Sequence, residues 1–254
     1  MKPTLIGLLA ISGIGLILSG QAAAIVVRGD APIEAILAEP SNYPEVVALL
    51  GGRAVGTLID EQWILTAAHV GQYIDQDSDD VRLTIAGEPN SIAEVIIHPS
   101  WDDEALGGSD VIDIALLRLA QPVSGVPVAS VYEGRDELDA VVTLFGWGRT
   151  GDGRTEDLVR DGRFRRGENQ VDAVTPRLRF HFDEPGSIRS LPLEAVSGPG
   201  DSGGPAFIEV GGKRFLAGVS SFQEDVIAPG VFGVTENYER VSDHIKWIKS
   251  VIAP

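Results

Sequence analysis

Short apolar stretches separated by turn residues recur along the chain after residue 40. The first half contains six of them, at residues 46–50, 55–59, 62–66, 81–86, 92–97 and 113–119. A second set follows the proline-containing segment 121–127, at residues 140–145, 170–180, 205–210, 214–221 and 231–234. Many short strands with this spacing are typical of barrels, not of a parallel sheet covered by helices. We therefore predict an all-β protein with one barrel in residues 25–127 and a second in residues 128–240.

The last apolar positions change from strand spacing to helical spacing. Val241, Ile245, Ile248 and Ile252 lie three or four residues apart. This spacing places them on one face of a helix. We predict a C-terminal helix within residues 241–254 that packs on the second barrel.

The first 24 residues have the layout of a secretory signal peptide. Lys2 precedes an apolar stretch from Leu5 to Leu18, and Ala22-Ala23-Ala24 forms an A-x-A cleavage site. The apolar stretch is short for a membrane span. We therefore expect residues 1–24 to be removed, leaving a secreted or periplasmic domain of residues 25–254 with no membrane association. The sequence has no cysteine, so this domain must be held together by packing alone.

One serine stands among glycines in Gly200-Asp201-Ser202-Gly203-Gly204-Pro205, where other backbone can approach it closely. A serine hydroxyl is a weak nucleophile, so catalysis requires a base, a group that orients the base, and donors for an oxyanion. His69 ends the apolar run 63–70 and is the candidate base. Asp113 lies inside the apolar run 111–117, where a buried carboxylate needs a partner, and His69 would serve.

Six sequence motifs in one order resemble the trypsin-like serine proteases of the chymotrypsin fold. They are Thr66-Ala67-Ala68-His69, His98-Pro99-Ser100, Asp113-Ile114-Ala115-Leu116-Leu117, Gly146-Trp147-Gly148, the Gly200–Pro205 motif and Pro229-Gly230-Val231-Phe232. The resemblance covers nearly all of the chain after residue 24. It implies two six-stranded antiparallel Greek-key barrels with the active site between them, and a serine endopeptidase that works through an acyl-enzyme. Val55 and Val70 stand where animal relatives commonly carry a linked cysteine pair.

The resemblance also implies roles for single residues. Ser202 would be the nucleophile, His69 the general base and Asp113 the group that orients it. The backbone amides of Gly200 and Ser202 would form the oxyanion hole, and Ser221 would hydrogen-bond Asp113.

The same resemblance implies an activation step. Cleavage after Ala24 would free the amine of Ile25, which would fold in beside Asp201 and hold the Gly200 and Ser202 amides in place. Export itself would then activate the enzyme.

The primary substrate pocket is predicted to be neutral and mainly apolar. Val196 lies six residues before Ser202, where trypsin-type enzymes carry an acid at the base of the pocket. A valine there does not pair with Arg or Lys, which favours an aliphatic or aromatic substrate side chain. The residues predicted to line the pocket are Val196, Ser197, Pro199, Phe222, Gln223 and Gly230.

Two other functions stay open at this point. The serine motif also satisfies the G-x-S-x-G pattern of α/β-hydrolase esterases, with Asp225 and His244 in the required order, although Pro199 and Pro205 flank it where a strand and a helix belong. Alternatively, an intact set of motifs without catalysis would make a protease-like binding module.

The formal charge of −17 argues against nucleic acid as a partner. We expect protein or peptide substrates, a monomer and no cofactor.

An acidic loop contains Asp75, Asp77, Asp79 and Asp80. It is not an EF-hand, because Asp80 stands where an EF-hand loop has its sixth-position glycine. A solvated loop and a looser calcium site both remain open there. The basic run 160–166 is predicted to be an exposed flexible loop.

Overall fold

The structure is a computed structural model that describes residues 25–224 and 228–253. The predicted signal peptide, residues 1–24, lies outside the described residues. The strands of the described part are β1 Val26–Val27, β2 Val46–Leu49, β3 Ala54–Asp60, β4 Trp63–Thr66, β5 Arg82–Ile85, β6 Glu88–Ile97, β7 Ala115–Leu119, β8 Ser130–Val131, β9 Val141–Gly146, β10 Arg165–Gln170, β11 Leu178–His181, β12 Ala195–Val196, β13 Pro205–Val210, β14 Lys213–Glu224 and β15 Thr235–Arg240. Its helices are α1 Ile33–Ile36, α2 Ala68–Gly71 and α3 Val241–Ile252, with 3₁₀ turns at Pro40–Asn42, Asp79–Val81 and Asp103–Ala105.

The first barrel is an antiparallel sheet in the order β2-β3-β4-β7-β6-β5. Its long strand β6 pairs with β5 through its first residues and with β7 through its last ones. The register shifts between Ile92 and Glu94, a bulge that bends the strand and curls the sheet. Strand β2 lies against β5 and closes the barrel. The six strands predicted for the first half are therefore present, with ends displaced by a few residues.

The second barrel contains six antiparallel strands in the order β10-β9-β13-β14-β15-β11. The two-residue strand β8 adds a short parallel pairing to β14, and β1 pairs separately with β12. Two barrels followed by a C-terminal helix confirm the predicted fold class. The second barrel departs from the prediction at β10 and β15.

Strand β10 lies where an exposed flexible loop was predicted, and that prediction is wrong from residue 164 onward. Phe164 is buried, with its ring stacked 4.2 Å from Trp147. Arg165 is also buried, because its Nη2 pairs with Asp161 Oδ2 at 2.6 Å. Strand β10 then follows β9 along its whole length. Arg165 can thus be buried at the start of β10 because it has a nearby partner. The polar sequence of β10 kept this strand from being predicted from apolar runs.

The last strand lies at 235–240, not at the predicted 231–234. Its sequence, Thr-Glu-Asn-Tyr-Glu-Arg, contains three charged residues, yet every residue after Thr235 is buried. The apolar Val231 and Phe232 instead lie in the preceding loop. The apolar residues at 231–234 therefore predicted the wrong position for this strand. Its charged residues are buried because they have partners inside the protein.

A continuous core joins the two barrels without disulfides. Residues of the first barrel such as Val55 and Leu65 belong to the same apolar cluster as Phe207 and Leu216 of the second. Val55 and Val70 are both buried in it. Apolar packing thus fills the two positions for which the resemblance implies a linked cysteine pair.

The C-terminal helix α3 follows the predicted spacing. It buries Val241 and Ile248 in the cluster that also contains Val219 of β14. None of the described helices has the length and apolar character needed to cross a membrane.

We predict that a buried ion pair at the end of β15 contributes strongly to stability. Arg240 Nε donates to Glu137 Oε1 at 3.0 Å, and the Glu137 side chain is fully buried. Arg240→Ala leaves this carboxylate without its cation, so we expect a loss of about 3–5 kcal/mol in the free energy of unfolding, measured in urea.

Two comparisons make this test specific. The double variant Glu137→Leu/Arg240→Leu should lose less than Arg240→Ala alone, because no uncompensated charge remains. Lys249→Ala breaks an exposed pair with Glu133 and should cost at most about 1 kcal/mol. Equal losses in all three variants would contradict the prediction.

Candidate active site

His69 and Asp113 lie side by side in the first barrel. His69 belongs to α2, directly after β4, and Asp113 precedes β7, which pairs with β4. Asp113 Oδ2 lies 2.8 Å from His69 Nδ1, and Oδ1 accepts the His69 amide at 2.8 Å. A carboxylate only accepts, so the ring proton resides on Nδ1 and Nε2 is left as a base. Asp113 is fully buried, whereas 19% of the His69 side chain is exposed.

The second barrel completes the surroundings of Asp113. Ser221 on β14 donates its hydroxyl to Asp113 Oδ2 at 2.5 Å. The Asp113 amide donates to Glu239 Oε1 on β15 at 3.1 Å, and the buried Arg177 Nε donates to the same oxygen at 2.6 Å. Sequence reasoning placed Ser221 here and missed Glu239 and Arg177. No motif identifies this pair, because Arg177 lies in a loop far from Glu239 along the chain.

Ser202 comes from the second barrel, in the loop between β12 and β13. Its carbonyl accepts the Val55 amide of β3 at 2.9 Å. The next residue, Gly203, has φ +78°, and a Cβ there would lie 2.0 Å from Thr66 Oγ1 at the end of β4. Glycine therefore lets the serine loop pack against the strand that leads to His69.

The contacts of His69 with Ser202 and with Asp113 differ. Hydrogen bonds of the described residues join His69 to Asp113 but not to the Ser202 hydroxyl. In catalytic sites in general, the hydrogen bond between a nucleophile and its base is often long before substrate binds.

Two backbone amides of the serine loop differ from their neighbours in their hydrogen bonding. Among the described residues, neither the Gly200 amide nor the Ser202 amide donates to a protein acceptor, whereas the Asp201, Gly203 and Gly204 amides all do. Gly200 holds φ +104°, a conformation that favours glycine. These two amides, one on each side of Asp201, are therefore available to donate to an oxyanion.

The side chain of Asp201, which belongs to the serine loop, is buried in the protein. Its Oδ1 accepts the Gly148 amide at 2.6 Å, and its Oδ2 accepts the amides of Gly198 and Ile25 at 2.9 Å each. Burial raises the pKa of Asp201 to about 6, because three neutral donors only partly replace the lost hydration. The structure therefore brings Ile25 and Asp201 together.

The Gly146-Trp147-Gly148 motif makes room for this carboxylate. A Cβ on Gly146 would lie 1.9 Å from Asp201 Oδ1, and a Cβ on Gly148 would lie 2.7 Å from Asp201 Cγ. Any side chain at either position would displace the acid or the loop that carries the serine.

A cavity of about 250 Å³ opens next to Ser202. Four of the predicted pocket residues line it, namely Ser197, Pro199, Phe222 and Gln223. Val196 and Gly230 do not. Val196 is fully buried opposite Val26 in the β1–β12 pair, and Gly230 packs so that a Cβ would lie 2.7 Å from Val26 Cγ2.

Glu236 lines this cavity and was missed by the sequence interpretation. It lies on β15, and its side chain reaches Ser197, whose hydroxyl donates to Oε1 at 2.6 Å. Burial raises the pKa of Glu236 to about 7. Glu236 thus adds a buried carboxyl group to the pocket that was predicted to be neutral and mainly apolar, and the specificity of the pocket stays a prediction.

The esterase alternative is wrong. Apart from β8 the described sheets are antiparallel, whereas that alternative requires a parallel one. His244 lies on α3 with Nε2 3.3 Å from Glu239 Oε2, and Asp225 lies outside the described residues.

The acidic loop makes local contacts. Asp75 Oδ1 accepts the Asp77 amide at 3.0 Å, and Asp79 lies 3.2 Å from Arg82. The side chain of Asp80 lies outside the described part. No group of three or more acidic, histidine or cysteine side chains is placed to hold a metal ion within the described residues, and the calcium site stays a prediction.

Comparison with known proteins gives consistent matches. The family model described as Trypsin matches residues 37–248. Pig complement C1s subcomponent is 29% identical over 247 residues, which is 85% of this chain but 34% of the relative. Cat chymotrypsin-like elastase family member 1 is 29% identical over 225 residues, 78% of each chain. Rat vitamin K-dependent protein C is 30% identical over 259 residues, 89% of this chain and 50% of the relative. The chain thus spans a third to a half of two of these relatives and most of the third.

The Asp201 site predicts a pH dependence of stability. While residues before Ile25 remain attached, the Ile25 nitrogen is an uncharged amide and the pKa of Asp201 is raised from 3.8 to about 6. The folded state then holds the proton more tightly than the unfolded state. The contribution of this group is full below pH 4 and is lost between pH 4 and 6, by about 3 kcal/mol.

Urea unfolding of the full-length chain across this pH range measures the effect. Asp201→Asn should remove this component of the fall in stability. A chain that begins at Ile25 should also lack it, because an ammonium pairs with the carboxylate. The same fall in all three proteins would refute the assignment.

Proposed function

Since the chain belongs to the trypsin-like serine protease family, with the chymotrypsin fold, we propose that it is a secreted serine endopeptidase that uses Ser202, His69 and Asp113. The observation that carries the proposal is the cleft between the barrels. There a buried carboxylate orients an imidazole beside the loop that carries Ser202. The family assignment supports the reaction class, and the relatives named above are proteases of the same family.

The proposed mechanism follows from these contacts. Ser202 Oγ attacks the scissile carbonyl carbon while His69 Nε2 takes the hydroxyl proton. Asp113 holds the Nδ1 proton in place and stabilises the imidazolium that forms. His69 then gives its proton to the leaving amine, and water releases the acyl group from Ser202 by the same steps.

The unpaired Gly200 and Ser202 amides would stabilise the negative oxygen of the tetrahedral intermediate. Each such donor typically contributes about 3–4 kcal/mol to the transition state. The two amides flank Asp201, so the position of that buried carboxylate governs the position of both donors.

Activation by export is part of the proposal. Cleavage after Ala24 would turn the Ile25 amide, already 2.9 Å from Asp201 Oδ2, into an ammonium. A buried ion pair would then replace a neutral contact and stabilise the serine loop. Secretion rests on the sequence of residues 1–24, which provides the cleavage site.

We predict that a serine-directed phosphonylating reagent labels Ser202 alone. Intact mass and peptide mapping should show one adduct, and Ser202→Ala or His69→Ala should lower kcat for peptide hydrolysis by about a millionfold. His181→Ala is the matched control, because this exposed histidine lies on β11 outside the cleft. A folded protein with neither adduct nor hydrolysis would instead favour the protease-like binding module.

A second prediction concerns the terminus. A secreted chain that begins at Ile25 should have a kcat/KM on the order of 100-fold higher than one that begins at Ala24, because only the first places an ammonium beside Asp201. N-terminal sequencing and active-site titration of both chains test this. Equal activity per titrated site would show that the ion pair is not required.

A further inference from the structure

The cavity beside Ser202 contains a buried acid without a cation. The Glu236 side chain is fully buried at the wall of this cavity, and within the described residues no Lys, Arg or His lies within ion-pair distance of it. Its contacts are three neutral donors. They are the Ser197 hydroxyl at 2.6 Å from Oε1, and the Ser197 amide at 3.2 Å and Gln223 Nε2 at 2.8 Å from Oε2.

Two other buried acids of this protein, unlike Glu236, are paired with an arginine. Glu137 is equally buried and pairs with Arg240, and Glu239 pairs with Arg177. A carboxylate taken out of water costs several kcal/mol unless a cation or enough donors replace the water. The pKa of Glu236 is raised to about 7 by burial, with Asp201 as a further negative neighbour, so its three donors do not fully offset the loss of water.

The carboxylate retains capacity for another donor. Two carboxylate oxygens offer about four acceptor positions, and three are in use. One of the three belongs to Gln223, whose side chain crosses from β14 and also donates to the Ser197 carbonyl. Gln223 is partly exposed, so its amide can leave Oε2 without opening the protein core.

We propose that Glu236 determines substrate specificity, by pairing with a lysine or arginine side chain on the acyl side of the cleaved bond. This inference rests on the proposed endopeptidase function. The acid comes from β15, so the pocket carries a carboxyl group although the position six before Ser202 is apolar. Gln223 holds the carboxylate until the substrate cation replaces its amide.

The test compares peptide substrates that differ only at the residue before the cleaved bond, with Lys, Arg, Ala, Val, Leu or Phe at that place. The wild-type enzyme should prefer Lys or Arg. Glu236→Gln should lower kcat/KM for these two by on the order of 100-fold, with little change for the others. Glu194→Gln is the matched control. Burial also raises the pKa of Glu194 to about 7, but its carboxylate accepts the Leu191 and Asp183 amides and does not line the cavity.

Two measurements separate this inference from the proposed function. Labelling of Ser202 by a small phosphonylating reagent counts working sites, so an unlabelled wild-type protein refutes the endopeptidase itself. A labelled enzyme that prefers Ala, Val, Leu or Phe, or a labelled Glu236→Gln protein with unchanged preference, refutes the role of Glu236.

Should Glu236→Gln fail to fold, the wild-type protein alone decides. Benzamidine, a flat aromatic cation, should inhibit it competitively, and the neutral isostere benzamide should do so at least about 10-fold more weakly. Equal inhibition by the two compounds would overturn the proposal.

Discussion

The buried carboxylate of Asp113 connects the two barrels at the cleft. His69 reaches it from the first barrel with two donors, and Ser221 reaches it from the second. Its own amide donates to Glu239 on β15. A buried carboxylate is costly when any of its donors is missing. The registers of β4, β7, β14 and β15 are therefore all coupled to the orientation of one imidazole.

The chain achieves this without covalent cross-links, because a single apolar cluster extends through both barrels. Val55 contributes both to the apolar core and to the position of Ser202. Its side chain is buried in the cluster, while its amide holds the Ser202 carbonyl. A shift of β3 would thus move both the core and Ser202, so apolar packing can hold the two sides of the cleft in position.

The fold and the candidate residues Ser202, His69 and Asp113 could be predicted, since they depend on signals that the sequence carries locally. Short apolar runs indicated the strands, and glycine motifs marked the loops that approach Asp201 and Thr66 closely. Arg165 and Glu236 escaped prediction for a shared physical reason. Each is a charged side chain in a strand, buried through partners that lie elsewhere in the chain or in an adjoining loop. The basic residues at 160–166 predicted an exposed loop where β10 begins, and the apolar residues at 231–234 predicted the last strand, which the structure has at 235–240.

The buried acids around the cleft differ in where their counter-charge comes from. Glu239 has Arg177 within the folded chain, so its charge is balanced as soon as the protein folds. Asp201 faces the Ile25 nitrogen, which acquires a charge only when the preceding peptide bond is cut. Glu236 faces a cavity next to Ser202, with neutral donors alone. An ionised carboxylate is costly in a buried site without a cation, so the proposed cleavage before Ile25 and the proposed binding of a substrate cation would each remove such a cost. The proposed activation and the proposed specificity thus have one physical basis, since each would bring a cation to a buried acid whose hydrogen bonds in the folded chain come from neutral donors.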